Sequence, residues 1–325
     1  MKKLITINIL LFSIFFFFLY EAHNKWYSPN SMGQSNGGLQ GEVNEKYVMI
    51  TFQSGIDYWK NAIKGFEDAA NELNVSVEYR GATQHDVHEQ ITVLEKIIAQ
   101  KPAGIALSAI NANELKDSIN KAIDAGIPVV LFDSDSPTSK THSFLGTNNY
   151  NAGVEAAEKL AHLIGGKGKV AIVTILNQLN HQERTKGFQE TMEKEYPGIK
   201  IVAIKDGKGD QVVSRKVTAD IIDQNQDLNG IFMTEGDEGL GGSEAIQNKN
   251  VKIISFDTDK ETLDLIKAGK ISATIAQDTW NMGYWSLNFL FHLKHKLTPS
   301  PGNPPYVDTG ISIVTKDNVE NFYAK

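Results

Sequence analysis

Acidic, amide and aromatic residues stand directly after a series of apolar, β-branched stretches. Ser54, Gly55, Ile56, Asp57, Tyr58 and Trp59 follow YVMITF, and Asp133, Ser134 and Asp135 follow IPVVLF. Asn177, Gln178, Asn180, His181, Gln182, Glu183 and Arg184 come after the stretch that ends at Ile175. Glu235, Gly236, Asp237 and Glu238 follow GIFMT, Asp257 follows VKIISF, and Gln277 and Asp278 close ISATIAQD. These groups suit a neutral ligand rich in hydroxyls. A carboxylate accepts hydrogen bonds from two adjacent hydroxyls, while Arg and Gln donate to hydroxyl or ether oxygens. Each charge-assisted bond contributes about 1.5–3 kcal/mol, so three or four decide specificity. Tyr58 and Trp59 offer flat apolar faces whose burial contributes about 25 cal/mol per Å². Asp133 and Asp135 lie two apart and share a side if the backbone stays extended, one for the ligand and the other for a turn. Taken singly, each has a plainer reading. An Asp after a strand also caps the next helix, Arg184 also suits a helix surface, and of two adjacent aromatics at least one must face the core. The group is stronger than its members because all fall at strand ends.

The elements that position them alternate. Residues 47–52, 75–81, 104–110 and 127–132 read as strands. Between them Trp59, Ala62, Ile63, Phe66, Ala69, Ala70 and Leu73, then Val87, Ile91, Leu94, Ile97 and Ile98, recur at helical steps of three and four, and a helix over 111–125 ends at Gly126. After 144–147 the alternation restarts, with helices at 152–164, 183–195, 212–225, 238–248 and 260–268 and strands at 169–175, 199–204, 230–234, 251–256 and 271–277. Near-continuous apolar strands between amphipathic helices imply parallel sheets covered on both faces. The fold class is therefore α/β, with two doubly wound parallel-sheet lobes joined by a multi-strand hinge. Helix 280–295 is expected to cross back to the first lobe and the tail at 306–314 to return to the second. The expected lobes are 46–147 plus 279–308 and 148–278 plus 309–325. Ligands of open parallel sheets sit beyond the carboxyl ends of the strands, where the polar residues gather.

The chain has 325 residues, 41% hydrophobic and 22% charged, which is ordinary globular composition and enough for two domains. A net charge of −7 disfavours a nucleic-acid partner, since phosphate binding needs a basic face. The absence of cysteine excludes disulfides, thiolate metal sites, a cysteine nucleophile and a lipid-bearing cysteine. Lys2 and Lys3 precede an apolar run over residues 4–20 that spans roughly 25 Å as a helix, near the ~30 Å of a hydrocarbon core. Glu21 and Tyr20 before Ala22 lack the small residues of a cleavage site, and Trp26 and Tyr27 suit a membrane interface. Residues 1–27 are thus expected to be an uncleaved membrane anchor, with a cleaved export signal as the alternative. Residues 28–45, rich in Gly, Ser, Asn and Gln, are expected to be a flexible linker.

Other motifs carry little. Gly239-Leu-Gly-Gly lacks the lysine of a phosphate loop, and Gly165-Gly-Lys-Gly-Lys precedes a strand as a turn. His85 with His88 and His292 with His295 have helical spacing but no third ligand, and the acids between Asp206 and Asp210 lack calcium-loop spacing. No nucleophile elbow and no metal-protease motif occurs, so no enzymatic activity, cofactor or metal is expected.

Tyr58-Trp59, IPVVLFDSD at 127–135, ERTKGF at 183–188 and above all FDTDKETLDLIKAGKISATIAQ at 256–277 resemble the type I periplasmic sugar-binding proteins, of the ribose- and galactose-binding kind. The resemblance covers residues 47–314. It implies stacking aromatics at Tyr58 and Trp59, sugar carboxylates at Asp133 and Asp257, a closing amide at Gln277 and an arginine at or near Arg184, with Gln182 competing. Asp135 and Asp237 complete the candidate ligand-binding set. Many relatives carry Asn-Asp where this chain has Gly236-Asp237, and Arg where it has Ser134, which leaves the sugar's identity open. The resemblance implies an extracytoplasmic protein that binds a monosaccharide, a pentose such as D-xylose favoured. The membrane partner implied is a sensor histidine kinase of the LytS type, or alternatively the permease of a sugar ABC importer. LacI-type repressors share the body, but carry a helix-turn-helix where this chain has its apolar run.

Overall fold

Strands that are apolar on both sides need helices on both sides, and the chain supplies them twice. The computed structural model describes residues 39–246, 250–297 and 305–323. The expected anchor and residues 28–38 of the expected linker lie outside the described residues. The first series runs β1 (Lys46–Thr51), α1 (Trp59–Leu73), β2 (Ser76–Gly81), α2 (Val87–Gln100), β3 (Gly104–Leu107), α3 (Lys116–Asp124), β4 (Val129–Phe132) and β5 (Phe144–Gly146). The second runs α4 (Asn149–Ile164), β6 (Gly168–Thr174), α5 (Leu179–Glu195), β7 (Ile199–Asp206), α6 (Gln211–Gln224), β8 (Leu228–Met233), α7 (Gly236–Ala245), β9 (Lys252–Phe256), α8 (Lys260–Lys267) and β10 (Ala273–Gln277). Then α9 (Thr279–Lys294), β11 (Tyr306–Asp308) and β12 (Ile311–Val314) return along both series. Among the described residues no helix is long and apolar enough to cross a membrane.

The strands form two six-stranded sheets, ordered β11-β5-β4-β3-β1-β2 and β12-β10-β9-β8-β6-β7. Every pairing is parallel except β10 with β12. The tail expected to return to the second lobe divides: β11 extends the first sheet beside β5, and β12 closes the second beside β10. Alternation along β1 shows why both faces are covered. Tyr47 and Met49 face the cluster of Trp59, Phe66 and Met282, from α1 and α9, whereas Val48 and Ile50 face Leu94, Ile97 and Ile119, from α2 and α3. The second sheet repeats this plan, with Leu160 and Phe188 on one side and Ile221 and Leu263 on the other.

Three boundaries differ from expectation for local reasons. The stretch 104–110 is strand only to Leu107, because Gln90 takes the next backbone groups, donating to Ser108 O at 2.7 Å and accepting from Ile110 N at 3.0 Å. The following helix starts at Lys116 rather than 111. Asn111 Oδ1 accepts from the amides of Asn113 and Glu114, which makes a turn first. Finally, α5 begins at Leu179, four residues ahead of expectation, and so takes in His181.

Helices α4 and α5 cross through glycines. A Cβ on Gly153 would lie 2.0 Å from Arg184 O, and one on Gly187 would lie 2.0 Å from Tyr150 O. This backbone-to-backbone approach fixes where Arg184 leaves its helix. Replacing Gly153 by Val forces the helices apart. The expected cost is about 1–3 kcal/mol, read as a lowered urea midpoint; an unchanged midpoint would show that the crossing has slack.

Candidate functional site

Both sheets end their fourth strand in the same way. Asp133 after β4 and Asp257 after β9 have φ of 61° and 66°, a left-handed conformation uncommon for residues other than glycine. Each is pinned by its backbone, Asp133 N donating to Leu145 O at 3.0 Å and Asp257 N to Ile275 O at 2.9 Å. The turn aims both carboxylates at a cavity of about 520 Å³ between the sheets' carboxyl edges, which Asp133 and Asp257 line with Phe52, Tyr58, His85, Arg184 and Gln277. A smaller cavity of about 320 Å³, sharing Tyr58, Asp257 and Gln277, adjoins it.

Asp133 is held by two hydroxyls, Tyr58 Oη donating to Oδ1 at 2.6 Å and Ser108 Oγ to Oδ2 at 2.9 Å. A carboxylate oxygen has two acceptor positions, so each keeps one for a ligand. Burial pushes the Asp133 carboxyl up, against the pull of Tyr58, Ser108 and Arg184. Burial and the two carboxylates raise the Tyr58 phenol well above its ordinary value, so it keeps its proton and donates. Asp257 Oδ1 accepts from Gln277 Nε2 at 2.8 Å, and burial pushes this carboxyl up to about 7, opposed by Arg184 and reinforced by Asp259.

Arg184 is 2% exposed. Its Nε donates to Asn149 Oδ1 at 2.8 Å, Nη1 to Thr234 O at 2.8 Å and Nη2 to Gln277 Oε1 at 3.0 Å, and its plane lies 3.9 Å over the Phe256 ring. Three of its five N–H groups are thereby engaged, leaving two for a ligand. Gln277 is the hub: its Oε1 also accepts from Thr147 Oγ1 at 2.8 Å, at the crossing between the sheets. Across the cavity the Gln178 amide donates to His85 Nε2 at 3.1 Å, joining residues of the two series.

The cavity brings together Tyr58, Asp133, Arg184, Asp237, Asp257 and Gln277. Three other expected site residues go elsewhere. Trp59 is 1% exposed and belongs to the core with Ala62 and Phe66, its ring edge-on to Phe52, Tyr58 and Phe132. Asp135 does not share a side with Asp133, because the left-handed turn at 133 breaks the alternation. It lines a separate cavity of about 220 Å³ with Glu183 and Tyr306. Gln182 is exposed on α5 and donates to Leu176 O at 2.6 Å, while His181 and Arg184 occupy the buried face. Phe52, His85, Asn149, Thr234 and the turn Lys208–Asp210 were not singled out for this site. Phe52 ends the first strand, so the same strand-end rule reaches it. Asn149 and Thr234 act through Arg184, which no spacing reveals.

The family signature described as periplasmic binding protein domain matches residues 47–296. A sugar ABC transporter sugar-binding protein from Bacillus halodurans is 59% identical with a TM-score of 0.81, over 86% of this chain and 100% of that one. AraP, an arabinose binding protein from Geobacillus stearothermophilus, is 61% identical with a TM-score of 0.78, over 86% and 99%. The XylFII-LytSN complex contains a chain 29% identical with a TM-score of 0.77, over 85% and 99%.

A carboxyl raised by the fold holds its proton where the unfolded chain has lost it. Its contribution therefore favours folding at low pH and fades as pH climbs from 3.8 towards about 7. Asp257→Asn is expected to flatten the decline of the urea midpoint across that range. Glu238, pushed up to about 8, sustains part of the slope. A slope unaltered by the substitution would place Asp257 in water.

Proposed function

We propose, from the premise that this chain belongs to the periplasmic binding protein family, that its cleft closes on a monosaccharide and that a membrane partner reads the closed shape. The family is one of solute-binding proteins without enzymatic activity. The observation that carries the sugar reading is the pair of buried carboxylates, Asp133 from one sheet and Asp257 from the other, with the anchored Arg184 beside them. Each has acceptor or donor capacity left over, and together they offer an edge-on set for adjacent hydroxyls. Tyr58 and Phe52 supply apolar cover.

Residues 46–147 with 279–308 and 148–278 with 309–323 form the two moving lobes in this reading. The crossings near Thr147, Asp278 and Thr309 bend between them. A ligand that touches Asp133 on one side and Asp257 and Arg184 on the other stabilises the closed state by its differential contacts. A pentose is the ligand we favour, with arabinose the first to test because of the similarity to AraP, and D-xylose next because of the similarity to the chain in the XylFII-LytSN complex.

A sensor histidine kinase is the partner we favour. That reading is supported by the same XylFII-LytSN similarity, by a sequence free of cysteine and by the apolar run at residues 4–20, which suits an N-terminal anchor outside the cytoplasm. The second reading, the binding protein of a sugar ABC importer, is favoured by the similarity to the Bacillus halodurans protein. Pulldown from detergent-solubilised membranes separates them: kinase co-purifying with the receptor supports the first, permease alone the second.

Calorimetry with L-arabinose, D-xylose, D-ribose and D-galactose tests the sugar reading directly. At least one pentose is expected to bind, and Asp257→Ala to weaken it by about 100-fold or more, the effect of losing charge-assisted bonds to two hydroxyls. A wild-type protein that binds none of these sugars would remove the proposal. An Asp257→Ala variant with undiminished affinity would take Asp257 out of the site.

A further inference from the structure

Beside the carboxylates and Arg184, a buried polar cluster reaches the cavity through one further side chain, His181. His181, in the first turn of α5, is 3% exposed and lines the cavity. Its Nδ1 lies 3.0 Å from Thr234 Oγ1. Burial, with the neighbouring charge of Arg184, holds the imidazole well below its ordinary value, so the ring is neutral. A neutral imidazole has one N–H and one bare nitrogen, and which is which follows from the partner.

The partner favours one choice. Thr234 Oγ1 has a single proton and donates it to Thr174 Oγ1 at 3.0 Å, with Glu238 Oε2 at 3.3 Å as the other acceptor. Thr174 Oγ1 also accepts from Thr185 Oγ1 at 3.1 Å. With that proton given to either oxygen, the contact between Thr234 and His181 uses the proton of Nδ1, and Thr234 accepts it. Nε2 is left as a lone pair on a residue that faces the cavity.

We infer that His181 is a specificity-determining residue whose bare Nε2, fixed in that tautomer by Thr234, accepts a hydrogen bond from one hydroxyl of the ligand. The inference rests on the sugar reading above and goes beyond it by naming the residue that tests for a hydroxyl at one position. The carboxylates beside it accept from any suitably placed donor, and two of them span the cleft. A single neutral acceptor on a buried ring held by Thr234 reads one hydroxyl only. Loss of that hydroxyl leaves the ring nitrogen unpaired in a closed site, which is how a site built around a hydroxyl rejects the analogue that lacks it.

Two measurements test it. In protein labelled with ¹⁵N at histidine, the ring shifts of His181 are expected to show a protonated Nδ1 and a bare Nε2, with Nε2 moving on addition of the tightest-binding pentose. A protonated Nε2 in the free protein overturns the inference. Calorimetry then compares wild type, His181→Gln and His181→Leu against that pentose and its monodeoxy analogues. Gln places an amide oxygen near the position of Nε2 and is expected to keep affinity within about threefold. Leu is expected to lose about 10- to 100-fold for the parent sugar, the effect of one buried hydrogen bond. For one deoxy analogue, and that one alone, wild type and Leu variant are expected to bind alike. A Leu variant that loses the same factor on the parent and on every analogue has a structural role only, and the inference falls. Sugar binding undiminished by Leu overturns this inference and leaves the sugar reading intact. A wild-type protein that binds no pentose overturns both.

Discussion

A guanidinium with almost no contact with water is the constraint on which the site depends. Removing a cation from water is costly unless its donors are satisfied and opposite charge lies near. Arg184 meets the first condition with neutral partners: a side-chain amide, a backbone carbonyl and the Gln277 amide oxygen, over the face of Phe256. The second is met at longer range by Asp133 and Asp257, whose carboxyls it draws down against the effect of burial. Its three engaged donors go to neutral acceptors, and the side chain lines the cavity. Everything around it serves this placement. The glycine crossing of α4 and α5 brings Arg184 to Asn149, and β9 delivers Phe256 and Asp257 from the other side.

The two aspartates show how one topology is used twice. In each sheet the fourth strand in sequence runs parallel to its neighbours, ends in a buried phenylalanine, and turns through a left-handed aspartate. Such a conformation is unfavourable for a side chain with a Cβ, of order 1–3 kcal/mol, and persists where surrounding bonds over-determine it. Backbone bonds to Leu145 and Ile275 provide that determination. The result is that neither carboxylate follows the alternation of its strand. Both line the cavity between the carboxyl edges of the two sheets.

Gln277 couples the site to the connections between the sheets. One amide touches Asp257, Arg184 and Thr147, and the next residue, Asp278, caps α9, which packs against the first sheet. Two neighbouring residues thus join the cavity lining to the crossing between the sheets. The contact of Gln178 with His85 spans the cavity at another point. Each sheet has its own pair of apolar clusters, whereas the contacts at these points are polar.

Much was legible in the sequence because periodicity and strand-end position are local. β-branched runs and helical steps of three and four specify strands and amphipathic helices without reference to anything distant. The restart after residue 147 specifies two sheets, and the strand-end rule alone reaches Tyr58, Asp133, Arg184, Asp237, Asp257 and Gln277. What only the tertiary structure decided are directions. Trp59 turns to the core and Tyr58 to the cavity because α1 has one buried face. Asp133 and Asp135 part company because a single left-handed residue reverses the alternation between them. Gln182 yields to Arg184 because α5 starts at Leu179, which rotates position 182 to the solvent. The tautomer of His181 depends on Thr174 and Glu238, from other elements of the chain, since a proton's place is set by all the acceptors around it and sequence shows only neighbours along the chain.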